Sequence, residues 1–357
     1  MNLTERLHRR IATQGPITLA DYMTACLLDP AEGYYTTRDP LGAAGDFITA
    51  PEVSQMFGEL LGLALAQSWL DQGAPAPFLL AEPGPGRGTL MADILRATRA
   101  VPGFHDAARL CLIEASPALQ AVQAATLRDH APSWVDRMDD MPDLPLFLVA
   151  NEFFDALPVR QFRRDGPAWR EVMIALRDDA LTFGLGPSAP VAALAHRLED
   201  TAEGDVVEIC APAAAIAAEI GQRIETRGGV ALIFDYGDWR SLGDTFQAMR
   251  GHGHADPLAD PGKADLTAHV DFEALATSTP SAHSLLTPQG VVLERLGITA
   301  RAQRLAEGLT GSARDAHIAA HRRLTHPAEM GSLFKALAFY PRRAAPPPGF
   351  EAAGNRP

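Results

Sequence analysis

The stretch from Phe78 to Met91, FLLAEPGPGRGTLM, constrains this chain most: an all-apolar run ends in an acid, crosses three glycines and enters a helical pattern. A short run without a polar face suits a strand buried on both sides of a parallel sheet. Gly84, Gly86 and Gly88 let the backbone turn tightly and approach a ligand with no Cβ in the way. Strand, glycine turn and helix in that order build a nucleotide-type cofactor site in an α/β fold. The spacing narrows the ligand. A dinucleotide fingerprint reads G-x-G-x-x-G, whereas these glycines run G-x-G-x-G with Glu82 two residues before the first.

That spacing is closer to the E/D-x-G-x-G-x-G turn of class I S-adenosylmethionine methyltransferases. A dehydrogenase-like site and a purely structural strand, turn and helix are the alternatives. A second apolar strand, Arg109 to Ile113, also ends in an acid, Glu114, and a helix from Leu90 to Thr98 followed by the Pro102-Gly103 break fits between the two. This is a βαβ unit, and an acid at the carboxyl end of its second strand can accept both hydrogen bonds of a ribose diol. The interval from Gly88 to Glu114 is longer than the usual twenty or so residues. The competing role for Glu114 is to cap the helix that starts near Ser116-Pro117, although Ser followed by Pro already suits a helix start.

With 357 residues and no long biased segment, the chain has room for one elaborated α/β domain or a core with an appendage. No apolar run approaches the length of a membrane span, and Met1 to Thr13 carries Glu5 and an amphipathic pattern, Leu3, Leu7 and Ile11, rather than a secretory core. Membrane insertion is therefore not expected. The net charge of −13 argues against nucleic acid as the main partner, because phosphate binding needs a basic surface, and suits a cationic substrate better. Cys26, Cys111 and Cys210 are odd in number and far apart, which points to a reducing, cytoplasmic setting without disulfides. Neither His317 with His321 nor His252 with His254 has a carboxylate-rich context, so no metal is expected.

Along the chain, residues 1–70 read as a helical extension with a glycine loop, Gly42 to Glu52, leading into an apolar helix from Ser54 to about Leu70. Residues 71–158 hold the first part of the core, with a helix from Pro117 to Ala131, a third strand from Trp134 to Met138 and a fourth from Leu146 to Ala150. Residues 159–227 change to alternating segments, Val159 to Phe162 and Glu171 to Leu176 around the turn Asp165-Gly166-Pro167, which predict an inserted β-hairpin followed by a helix from Pro212. Residues 228–340 return to the core with a fifth strand, Gly229 to Asp235, a loop or lid rich in Gly and His from Gly243 to Gly262, several helices and a last strand from Leu333 to Tyr340. Residues 341–357, with Pro346-Pro347-Pro348, read as a flexible tail.

Six separated segments together resemble the MidA family: Gly45 to Glu59, Glu82 to Leu90, Asn151 to Pro158, Gly243 to Thr245, Asp265 to Phe272 and Met330 to Lys335. The similarity spans roughly residues 1 to 340. Pro83 and Ala50 depart from the family's pattern, but neither departure removes a carboxylate or a motif glycine. The resemblance implies a seven-stranded, Rossmann-like class I methyltransferase sheet with an N-terminal helical extension and inserted β-hairpin and helical segments. It also implies S-adenosyl-L-methionine as cofactor and a protein substrate, an arginine of the 49-kDa-type subunit of respiratory complex I methylated during assembly. A cofactor-binding assembly chaperone without catalysis and a small-molecule methyltransferase are the alternative functions.

On that reading Glu82, Gly84, Gly86, Gly88, Glu114 and Asn151 are the cofactor-binding candidates. A guanidinium is a poor nucleophile while protonated, with a pKa above about 12, so its methylation calls for carboxylates that orient one nitrogen and accommodate its charge. Glu152 and Asp155, just beyond the fourth strand, are the expected pair, and Asp46 in its glycine loop could complete the cage. Asp265, His269 and Asp271 form a second cluster, in which His269 is the candidate for proton removal.

Overall fold

The computed structural model describes residues 1–37 and 49–354. Its central sheet contains β1 (Phe78–Pro83), β2 (Ala108–Ile113), β3 (Ser133–Val135), β4 (Leu146–Asn151), β5 (Gly229–Asp238), β6 (Ala282–His283) and β7 (Phe334–Tyr340). Neighbours run in the order β6-β7-β5-β4-β1-β2-β3. Strands β1 to β5 pair in parallel, and β7 lies antiparallel between β5 and β6, with Ala231 opposite Phe339. This is the expected seven-stranded plan. Two short segments add to it, Val270–Asp271 on β5 and Thr287–Pro288 on β7.

Every residue of β1 and β4 is buried, which is why both read as uninterrupted apolar runs. Alternation along β1 sends Phe78 and Leu80 into one hydrophobic cluster and Leu79 and Ala81 into the other. Helices Gln55–Asp71 and Thr89–Thr98 cover the first face through residues such as Phe57, Leu61 and Ile94; helices Ala211–Arg227 and Phe272–Ser278 cover the second through Ile220, Ile224 and Leu275. Each fully buried Leu, Ile or Phe contributes about 1.5–3 kcal/mol, so the sandwiched sheet is the stable frame on which the strand ends are held.

The N-terminal extension begins with helices Leu3–Gln14 and Leu19–Leu28, each started by a capping box, Asn2 with Glu5 and Thr18 with Asp21. The apolar stripe Leu3, Leu7 and Ile11 is buried.

The inserted hairpin is larger than expected. Strands Arg160–Asp165 and Ala168–Arg177 form it, but Ala180–Ala189, Val206–Ile209 and Ile17–Thr18 join them in a five-stranded antiparallel sheet. Ala180–Ala189 escapes a sequence reading because Gly184, Gly186 and Pro187 look like breakers; as an edge strand it tolerates them. The segment 243–262, expected to be a loop, also carries structure: Gln247–Arg250 and Gly253–Ala255 form a hairpin about Gly251 and His252, both left-handed, and pair onward with Asp265–Thr267. The third core strand is shorter than expected and gives way to a 3-10 turn at Met138–Asp140, since only Cys111 to Ile113 offer it partners.

The expected flexible tail is docked as far as Ala353, whose N–H donates to the His283 carbonyl at 3.2 Å. Phe350 is buried in the core, Leu285 N–H donates to the Glu351 carbonyl at 2.8 Å, and Ser284 bridges Ala352. An aromatic anchor and backbone pairing at the sheet edge outweigh the breaking tendency of the prolines. Among the described residues no helix is long and apolar enough to cross a membrane.

Candidate active site

Gly84, Gly86 and Gly88 all adopt left-handed backbone, with φ of 57°, 53° and 80°. Gly84 N–H donates to the Ile113 carbonyl at 3.0 Å, tying the turn to the end of β2, and a Cβ at Gly84 would stand 3.1 Å from the Phe153 ring. Beside the turn opens a cavity of about 860 Å³. Gly84, Gly86, Glu114, Glu152, Asp155 and His269 line it.

Glu114 faces the cavity and also ties down the chain before the next helix. It lines the cavity, and its Oε1 accepts Ser116 N–H at 2.8 Å while Oε2 accepts Gln123 Nε2 at 3.1 Å. Ser116 occupies the cap position before Pro117, yet its own hydroxyl makes no capping bond. Gln123, which the sequence did not single out, also donates to the Gly86 carbonyl at 2.8 Å and accepts the Trp134 indole N–H. One buried amide thus fixes the turn against the acid. Burial raises the Glu114 pKa above the usual carboxylate range.

Three cofactor candidates stand behind the cavity wall and do not line it. Glu82 is buried beneath the turn, where Met91 N–H reaches its carboxylate and Oε2 has no partner among the described residues; burial pushes its pKa to about 8. Gly88 caps helix Thr89–Thr98 and packs on Leu127 and Gln123. Asn151 donates from Nδ2 to Glu152 Oε1 at 3.0 Å, orienting the acid. Asp46 lies outside the described residues.

Glu152 has a left-handed φ of 51°, a costly conformation for a residue with a Cβ, held here by its N–H bond to the Phe234 carbonyl at 2.9 Å. Its Oε1 also accepts Ala50 N–H at 3.2 Å, and Glu52 accepts the Thr89 hydroxyl at 2.6 Å. The segment Thr49 to Val53 therefore bridges the acid and the helix of the glycine turn. The acids do not pair with the hairpin: Arg160 binds Glu171 at 2.7 Å instead. Among the described residues, no arginine or lysine forms an ion pair with Glu152, Asp155 or Asp235.

Asp235, in β5 one residue beyond its last pairing with β4, completes the acidic cluster and was not among the sequence candidates. It is fully buried; Oδ2 accepts Phe154 N–H at 2.9 Å and Asp155 N–H at 3.2 Å, and Oδ1 accepts Tyr236 N–H at 2.9 Å. Burial, then the charges of Asp155 and Glu152, hold its pKa far above the ordinary value. Burial, then Asp155, raises Glu152 to about 7, and burial raises Asp155 to about 6. Asp155 Oδ1 is buried and has no hydrogen-bond partner among the described residues. The sequence signal for Asp235 was present, an acid ending an apolar run, as at Glu82 and Glu114.

His269 lines the cavity, its backbone N–H donating to the Thr245 hydroxyl at 2.8 Å and its ring edge-on to Tyr236 at 5.4 Å. Burial and Lys335 lower its pKa, favouring the neutral ring. The cluster of Asp265, His269 and Asp271 divides. Asp265 shares the cavity, whereas Asp271 caps helix Phe272–Ser278 and accepts Ser241 N–H.

A family described as S-adenosyl-L-methionine-dependent methyltransferases matches residues 60–292 of the chain. Curated relatives include protein arginine methyltransferase NDUFAF7, mitochondrial, from Bos taurus, 38% identical over 94% of this chain and 82% of its own, and its Homo sapiens counterpart, 37% identical over 96% and 84%. A superfamily member from Burkholderia thailandensis, solved with S-adenosyl-homocysteine bound, superposes with a TM-score of 0.81 at 29% identity, covering 95% of this chain and 91% of that one. The site fits S-adenosylmethionine on its own evidence. A turn whose backbone a ligand can approach, an acid at the end of β2 and an anionic floor suit a nucleoside that carries a cationic sulfonium. Family match, relatives and geometry agree: this chain belongs to the MidA family and is an S-adenosylmethionine-dependent methyltransferase.

Proposed function

We propose that the protein is a protein-arginine N-methyltransferase acting in the cytoplasm on the 49-kDa-type subunit of respiratory complex I during assembly. The observation that carries the arginine assignment is the acidic trio beside the glycine turn, Asp155 and Asp235 buried and Glu152 half-buried, none of them in an ion pair with an arginine or lysine among the described residues, with the Arg323 charge acting on Glu152 from outside the trio. Acids in that state are held partly protonated and can be completed by a cation from outside. The relatives' name, protein arginine methyltransferase, supports the same chemistry. The choice of subunit rests on the family resemblance alone.

S-adenosylmethionine, when bound, supplies a methyl group already activated on its sulfonium. Gly84 and Gly86 would hold its amino-acid part and Glu114 its ribose. The remaining task is to align a nitrogen lone pair and exclude water. Asp155 Oδ1 accepts one guanidinium N–H and Glu152 a second, turning one nitrogen toward the methyl. Glu152, with a pKa near neutrality, takes the proton that this nitrogen loses. Asp235 holds the turn that carries Asp155 through its backbone bonds. His269, neutral and edge-on to Tyr236, packs this wall.

The test is incorporation of labelled methyl into the purified subunit, followed by amino-acid analysis for methylarginine. Label on arginine with wild type and its loss with Glu152→Gln are expected. Absence of label with wild type that binds the cofactor and the subunit overturns the reading in favour of a chaperone.

A further inference from the structure

The carboxylates form one wall of the cavity, and the other comes from outside the core sheet. Tyr35 arrives from the N-terminal extension, and Asp265 and Thr267 from the short strand that follows the inserted hairpin; all three line the same cavity as Asp155. Packing fixes this wall. Leu19, Tyr22 and Met23 of the extension share one buried cluster with Ala248, Leu266 and Ala268, and the Tyr22 hydroxyl donates to the Pro257 carbonyl at 2.5 Å.

The polar atoms it offers can accept hydrogen bonds. The Tyr35 hydroxyl donates its proton to Asp265 Oδ1 at 2.6 Å, which leaves the phenol oxygen only lone pairs for a further partner. Thr267 is 4% exposed, and its Oγ1 has no hydrogen-bond partner among the described residues. Asp155 Oδ1, on the first wall, is in the same state. The Tyr236 hydroxyl lies against both Asp155 and Thr267, and these three line one cavity with Tyr35, so the two walls face the same space. Buried polar atoms are rarely left unpaired unless a ligand completes them.

We infer that Asp155, Thr267 and Tyr35 form an acceptor subsite that selects a planar, multi-donor guanidinium over an ammonium, with Asp265 holding Tyr35 in its accepting orientation. A guanidinium spreads five N–H groups in a plane and can bond both walls at once; an ammonium concentrates three donors on one atom and reaches one wall. The inference rests on the arginine reading above and names what enforces it. Thr267 is its specificity-determining residue.

The chain has five tyrosines, of which Tyr35 and Tyr236 line the cavity, so 3-fluorotyrosine labelling gives a direct fluorine NMR readout. Protein saturated with S-adenosylhomocysteine is titrated with N-ethylguanidinium and, separately, ethylammonium; Tyr35→Phe and Tyr236→Phe assign the two resonances. Both resonances should shift saturably with ethylguanidinium, and ethylammonium should bind at least about fivefold more weakly. Thr267→Val should weaken ethylguanidinium about tenfold while Thr267→Ser stays within about threefold of wild type, both with unchanged S-adenosylhomocysteine affinity. If Thr267→Val does not fold, Tyr35→Phe carries the same comparison, read from Tyr236. No shift at either tyrosine, equal binding of the two cations, or Thr267→Val binding like wild type overturns the subsite. Selective guanidinium binding by a protein that methylates no arginine leaves the subsite standing and removes the arginine-transfer reading alone. Arginine methylation with a wild-type KM in Thr267→Val does the reverse.

Discussion

Asp235 Oδ2 accepts the backbone N–H of Asp155 at 3.2 Å, so an acid of one core strand sets the position of an acid beyond the end of its neighbour. The same oxygen accepts Phe154 N–H, and the other accepts Tyr236 N–H. Asp235→Asn puts a donor among these N–H groups. Stability should fall by about 1–3 kcal/mol, the cost of a buried group left unsatisfied, and methyl transfer should fall at least about tenfold as Asp155 shifts. Thermal unfolding and single-turnover transfer check the two effects. Full stability with full transfer would separate Asp235 from the positioning of the turn.

Glu152→Gln keeps the shape and removes the charge. S-adenosylmethionine affinity should stay within a few-fold of wild type, while transfer drops by on the order of a hundredfold, the scale of losing a preorganised electrostatic partner. Cofactor titration and transfer on one sample give the comparison. Normal transfer by both Glu152→Gln and Asp155→Asn would make the acidic pair structural.

The cluster also sets a pH dependence. Burial raises Glu152 to about 7 from an ordinary value near 4.5, so its contribution to stability is complete below about pH 4.5 and is lost as pH rises through about 7. Ligand-free wild type should lose stability relative to Glu152→Gln across that window, by on the order of 1–3 kcal/mol. Unfolding midpoints of both proteins from pH 5 to 8.5 measure the difference. Parallel profiles would mean that Glu152 titrates as an ordinary carboxylate.

At the cofactor end, Gly86→Val should abolish S-adenosylmethionine binding, because valine strongly disfavours a φ of 53° and adds bulk where the ligand meets the backbone. Glu114→Ala should weaken binding by about 1.5–3 kcal/mol through lost ribose hydrogen bonds. Calorimetric titration of folded variants decides both. Wild-type affinity in Gly86→Val would displace the cofactor from the turn.

The sequence by itself determined the core sheet, the glycine turn and the acids that end its strands. Burial on both faces leaves a local imprint, an unbroken apolar run such as Leu146 to Ala150, and left-handed turns leave another in Gly84, Gly86 and Gly88. Those signals need no knowledge of distant residues. Only the tertiary structure decided which acids meet in one cavity. Glu82 ends a strand as Glu114 does, yet it faces the helix N–H of Met91 and is sealed beneath the turn, whereas Asp155 lines the cavity. Tyr35 and Thr267 stand more than two hundred residues apart and come together because the extension and the segment after the hairpin share one apolar cluster. Such convergence follows from long-range packing, which leaves no period or spacing in the chain. The tail is the same case reversed: its prolines signal a loose end locally, and a single buried aromatic, Phe350, overrides them once the sheet edge is there to receive it.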